Sequence, residues 1–135
     1  MLKVAIVGFG TVGQAVARLL IGDKHKGLQL THIANRNVGR KKVDWIPSSV
    51  VWTDEMSPII GSDVDVVVEL IGGIDAASEW IRESLMNGKS VVTANKQVIA
   101  DVGPELIALA AGNDRNILFE AAVACLLYTS PSPRD

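Results

Sequence analysis

The 135-residue chain contains a single cysteine, Cys125, which excludes an intrachain disulfide and any metal cluster built on several thiolates. Aromatic side chains make up only 4% of it against a hydrophobic fraction of 48%, so the core has to be assembled from Val, Ile, Leu and Ala. The net charge is −2, and neither sign dominates. That removes the electrostatic case for a nucleic-acid partner or an anionic membrane surface. No apolar run approaches the roughly 18 residues that a bilayer-spanning helix needs. Met1-Leu2-Lys3 enters an apolar segment directly, without the architecture of a secretory signal, and a cytoplasmic location is expected. Internal repeats and low-complexity linkers are also missing, and the length suits one domain with a real core.

What is present begins at once. Val4-Ala5-Ile6-Val7 is a continuous apolar run, as expected for a strand buried on both faces of a parallel sheet. It breaks into Gly8-x-Gly10-x-x-Gly13, after which a helical pattern starts. Gly8 permits the tight turn, Gly10 lets a pyrophosphate approach the backbone, and Gly13 allows the helix to pack closely on the strand. The N–H groups at the start of that helix would face the phosphates. The alternative is a glycine-rich turn without a ligand.

The remaining chain alternates strand and helix. A helix is expected over Thr11 to Ile21, with Val12, Ala15, Val16, Leu19 and Leu20 as its apolar stripe, and a strand over Leu28 to Ala34. His32 in that strand suits a hydrogen-bonded structural role. An NAD site places an acid about 20 residues beyond the glycines. Here Asn35-Arg36-Asn37 stands instead, with Arg40, Lys41 and Lys42 following, which tilts the preference to NADP(H) over NAD(H) because a guanidinium can grip a 2′-phosphate. Further strands are expected at Val50 to Trp52, Val66 to Ile71, Ser90 to Val92 and Ile117 to Phe119. Thr53-Asp54 would open a brief turn that Ser57-Pro58 interrupts. Asp75 would cap a helix carrying Ala77, Trp80, Ile81 and Leu85 inward and stopping at Asn87-Gly88. Trp80 reads as core filling. Pro104 to Ala111 would form the last helix. Glu69 is either a functional carboxylate or a strand-end charge reaching solvent. The pattern predicts an α/β fold: a Rossmann-type, doubly wound parallel sheet in three layers, α/β/α.

Four stretches, in order, carry a resemblance: Gly8-Phe9-Gly10-Thr11-Val12-Gly13, Glu69-Leu70-Ile71-Gly72-Gly73, Val91-Val92-Thr93-Ala94-Asn95-Lys96 and Phe119-Glu120-Ala121-Ala122-Val123-Ala124. Together they are similar to the nucleotide-binding half of homoserine dehydrogenases, over residues 1–124. The resemblance implies reversible NAD(P)-dependent interconversion of L-homoserine and L-aspartate 4-semialdehyde, in threonine, methionine and isoleucine biosynthesis. It implies that Gly8, Phe9, Gly10, Thr11, Val12 and Gly13 line the cofactor's phosphates and that Arg36 meets the adenosine ribose. Gly72 would pass close to the cofactor, and Thr93 would lie on the nicotinamide side. Lys96 would stand near the nicotinamide and substrate, where an ammonium suits polarising a carbonyl oxygen or steadying a developing alkoxide. The carbonyls near Glu120 and Val123 would contribute to a structural sodium site, and the full-length form would be a homodimer.

After Ala124 the pattern departs from the family. The family continues with a Gly-Gly-Ile-Pro-like turn, whereas residues 125–135 read Cys-Leu-Leu-Tyr-Thr-Ser-Pro-Ser-Pro-Arg-Asp. They read as a truncated or mis-framed end, the alternative being a genuine short tail. The substrate domain is expected to be missing, leaving a nucleotide-binding fragment inactive by itself. Two other readings share the glycine loop: a stand-alone NAD(P)-sensing module, and another semialdehyde- or sugar-directed oxidoreductase of the same fold. A lysine at the nicotinamide end favours chemistry over sensing.

Overall fold

Six strands, β1 (Leu2–Val7), β2 (Leu28–Ala34), β3 (Val51–Thr53), β4 (Val66–Glu69), β5 (Ser90–Thr93) and β6 (Ile117–Leu118), form one sheet in the order β3-β2-β1-β4-β5-β6. Every neighbouring pair is parallel. The computed structural model describes residues 1–22, 27–37, 39 and 42–119. Within them the connecting helices are α1 (Thr11–Ile21), α2 (Ser57–Ile60), α3 (Asp75–Met86) and α4 (Lys96–Gly112). This strand order is the doubly wound arrangement, in which the direction of winding reverses between β1 and β4.

Alternation along the strands divides the core in two. Ala5 and Val7 of β1 join Ala34, Val67 and Val91 in a cluster with Ala77, Ile81 and Leu85 of α3 and Val98, Leu106 and Ala110 of α4. Ile6, between them in sequence, points the other way and meets Phe9, Ala17 of α1, Leu30 and Ile33. Helices therefore cover both faces, as the three-layer expectation required.

The departures from the sequence reading are local. On α1 the buried residues are Gly13 and Ala17, with Val16 and Leu20 packed alongside, while Val12 and Leu19 are each 47% exposed. The face was set by Gly13 pressing on the strand, which turns Val12, Ala15 and Leu19 outward. β3 lies one residue later than expected, and Pro58 stands in the first turn of α2, where proline starts a helix instead of interrupting one. β4 stops at Glu69 and not at Ile71, since the carboxylate turns back to take the Ile71 N–H. Asp75 is the first helical residue of α3, preceded by Ile74, and makes no cap.

The largest difference concerns α4. It starts at Lys96, capped by the Asn95 side chain, and runs through Pro104. Both Pro104 and Ala100, whose carbonyl loses its helical donor, are exposed, so water can satisfy what the proline ring leaves open.

Candidate functional site

The carboxyl ends of β1 and β4 meet where the winding reverses, and the glycine turn fills that crevice. Gly8 has φ +103° and donates its N–H to the Ala34 carbonyl at 2.8 Å. A Cβ there would lie 2.8 Å from the Leu70 backbone carbon, so no side chain fits between the β1 and β4 ends. A Cβ on Gly13 would stand 2.2 Å from the Gly8 carbonyl oxygen, which is why α1 can begin directly over the turn. Above Gly10, by contrast, nothing lies within 4 Å. The start of α1 carries no side-chain cap, so its first N–H groups face that open side. The dipole and donors at such a terminus suit a phosphate.

Phe9 sits differently from the expectation that it lines the phosphates. Its ring is fully buried, edge-on to Trp52 at 5.2 Å and tilted against Trp45 at 6.1 Å. Its N–H donates to Asn35 Oδ1 at 2.8 Å. Asn35 occupies the place of the usual ribose-binding acid, and its side chain is committed to holding the glycine turn. Arg36 follows it and is exposed.

Two grooves flank the turn. One, of about 290 Å³, lies at the β2 side and is lined by Asn35, Arg36, Asp54, Ala76 and Trp80 with Val7, Ala34 and Ile71. The other, of about 330 Å³, lies at the β5 side and is lined by Val12, Gly72, Gly73, Asn95, Lys96 and Gln97 with Leu70, Ile71 and Ala94. Ile71 borders both. Arg36 lines the first, and Lys96 and Val12 of α1 line the second. Trp80 proves to do two things: it packs on the core cluster and its edge lines the β2-side groove. Asp54 was not singled out by sequence; only its position directly after an edge strand could have drawn attention to it.

Under the β5-side groove lies a buried polar row. Glu69 and Thr93 are paired across β4 and β5, and neither has any exposed surface. Glu69 therefore reaches no solvent, contrary to one of the two sequence readings. Burial holds its carboxyl above the ordinary carboxylate range, opposed by hydrogen bonds from the Thr93 hydroxyl and the Ile71 N–H. The Thr93 hydroxyl donates to Glu69 and accepts the Asn95 N–H at 3.1 Å, so it is fully engaged below the groove surface. Asn95 was missed because Pro104 looked like the helix start. Its signal was an Asn three residues ahead of a buried Val98.

The other perturbed groups gather toward the opposite edge of the sheet. Lys89 is buried and donates Nζ to the Ser62 and Val64 carbonyls at 2.8 and 3.2 Å, and burial lowers its pKa. Lys3 pairs with Asp63. His32 shares a 2.8 Å hydrogen bond with Thr31, and burial lowers its pKa, in keeping with a structural role. Among the described residues no group of three His, Cys, Asp or Glu could hold a metal ion, and Glu120 and Val123 lie outside those residues. Among the described residues, too, no helix is long and apolar enough to cross a membrane.

Comparison with known proteins agrees with this geometry. A family model described as "Homoserine dehydrogenase, NAD binding domain" matches residues 8–120. Homoserine dehydrogenase from Bacillus subtilis is 35% identical over 130 residues, covering 91% of this chain and 30% of the relative. The Corynebacterium glutamicum homoserine dehydrogenase is 38% identical over 128 residues, covering 90% of this chain and 28% of its own length. A crystal structure of the S. aureus homoserine dehydrogenase superposes with a TM-score of 0.78 at 32% identity, over 89% of this chain and 32% of that one. The chain thus spans about 30% of the length of the curated relatives it matches. On these grounds the chain belongs to the homoserine dehydrogenase family, of which it spans the NAD-binding domain.

Proposed function

We propose that this chain is the NADP(H)-binding unit of a homoserine dehydrogenase, whose complete form interconverts L-homoserine and L-aspartate 4-semialdehyde. The observation that carries this reading is the glycine turn and uncapped helix start at the switch point, with two neighbouring grooves lined by Arg36 and by Lys96. The backbone around Gly8, Gly10, Thr11, Val12 and Gly13 binds the diphosphate. Arg36 takes the ribose 2′-phosphate, since position 35 after β2 holds Asn instead of the acid of an NAD site, with Asp54 as the carboxylate lining that groove. Gly72 lets the nicotinamide half lie against the backbone.

The cofactor, when bound, supplies the hydride acceptor or donor. Lys96, in the first turn of α4 and on the wall of the second groove, holds a positive charge where the substrate oxygen becomes an alkoxide. The partner that shuttles the proton belongs to a substrate domain outside residues 1–124, as do the strands through which full-length subunits form a homodimer. Residues near Glu120 and Val123 contribute carbonyls to a sodium site in that longer form, and the enzyme works in the cytoplasm. Residues 1–135 by themselves bind nucleotide without turning over homoserine.

Titration of the folded chain with NADPH and NADH tests the reading, with tryptophan fluorescence as readout because Trp80 edges one groove. NADPH is expected to bind more tightly. Arg36→Ala should weaken NADPH about tenfold while leaving NADH nearly unchanged, as for loss of a charge-assisted contact. A folded sample that binds neither nucleotide at millimolar levels overturns the reading.

A further inference from the structure

The polar row beneath Gly72 and Lys96 closes into a ring. Glu69 Oε2 accepts from the Ile71 N–H at 2.9 Å, and the Ile71 carbonyl accepts from Asn95 Nδ2 at 3.3 Å. The Asn95 N–H donates to Thr93 Oγ1 at 3.1 Å, and that hydroxyl donates to Glu69 Oε1. With Glu69 ionised, the proton directions follow. Thr93 has one hydroxyl proton, its oxygen already receives the Asn95 N–H, and both carboxylate oxygens are left as acceptors. Two further contacts leave the ring, both from the Asn95 side chain. Nδ2 also donates to the Gly73 carbonyl, and Oδ1 accepts the Val98 N–H at 3.1 Å as the cap of α4. One primary amide therefore ties the Gly72-Gly73 turn to the end of the helix that carries Lys96.

Resting on the nucleotide-binding reading above, we propose that Asn95 is a positioning residue that fixes the Gly72-Gly73 turn against the start of α4 and so sets the groove for the nicotinamide half of the dinucleotide. Gly72 and Gly73 have no side chains of their own with which to hold a conformation, and paired glycines lose more backbone freedom on ordering than other residues. The Asn95 amide meets that loss in the ligand-free protein, before the nucleotide arrives. Binding then spends less on ordering the wall. Below it, the Thr93 hydroxyl takes the Asn95 backbone N–H and Glu69 takes the Ile71 N–H, and neither side chain reaches the groove surface.

Capping and tethering can be separated by substitution. Serine caps a helix about as well as asparagine, but its hydroxyl is too short to span from Asn95 to the Gly73 carbonyl. In the 135-residue chain, Asn95→Ser should stay folded, its thermal midpoint lowered by only a few degrees, and keep its affinity for 2′-phospho-ADP-ribose, which lacks the nicotinamide. It should lose the extra affinity that NADPH shows over that fragment, a drop of roughly three- to tenfold for one or two hydrogen bonds. Without any ligand, hydrogen exchange at residues 72–74 should quicken in Asn95→Ser while the capped Val98 amide stays protected. If Asn95→Ser does not fold, Asn95→Asp serves, since it too keeps the cap and loses the donor. A variant that retains the NADPH advantage, or the wild-type exchange at 72–74, overturns the positioning role. A wild-type chain that binds neither ligand overturns the nucleotide reading, and the exchange comparison then decides the tether alone.

Discussion

Glu69 sets a carboxyl against buried surroundings. It is fully buried, and its pKa is raised chiefly by burial, with the Thr93 and Ile71 donors pulling the other way. A folded-state pKa above the ordinary 4.5 means that the unfolded chain releases this proton first as pH rises. The group's contribution to stability is therefore fully present below about 4.5 and is lost as pH climbs through the raised folded value. Urea unfolding of wild type and Glu69→Gln across that window should show the wild type losing ground to the variant as pH increases. A difference that stays flat with pH would contradict the assignment. Sequence left this residue undecided because its partner, Thr93, lies 24 positions away and only the β4–β5 register brings the two together. The same holds for Asn35, whose contact with Phe9 spans 26 positions. The glycines were legible for the opposite reason: their constraint is set by the backbone within a few residues of each.

Among the elements, α4 offers the clearest energetic test. Proline inside a helix costs about 3 kcal/mol, partly offset by the stiffness it gives the unfolded chain. Pro104 sits on the exposed side, so Pro104→Ala should restore a donor without disturbing Leu106 or Ala110 in the core. A gain of roughly 2 kcal/mol is expected in denaturant unfolding, and a loss would mean that the proline sets a needed bend. Strands β1, β4 and β5 were readable as apolar runs, because burial on both faces leaves little room for polar residues. The helix faces were not. On α1 the periodicity admits two stripes, and the contact of Gly13 with the Gly8 carbonyl selects the one that leaves Leu19 in solvent. On α4 the proline was a stronger local signal than the asparagine that caps it.

At the level of the whole molecule, the order β3-β2-β1-β4-β5-β6 puts the first strand at the centre. Val4 pairs with Leu30 on one side and with Val66 on the other. Such non-local parallel pairing belongs with refolding times of milliseconds to seconds, not microseconds. Val67→Ala, in the fully buried middle of the sheet, should slow refolding, whereas Leu118→Ala on the short edge strand should mainly speed unfolding. Stopped-flow chevrons would distinguish the two, and equal effects on both arms would place the nucleus elsewhere. The central position of β1 also has a consequence during synthesis. At about 5–20 residues per second, a ribosome that has just made Val4 needs ~3–12 s to reach Val66. For that interval the nascent Val4-Ala5-Ile6-Val7 segment has no β4 to pair with, and its apolar edge is open to non-native contacts.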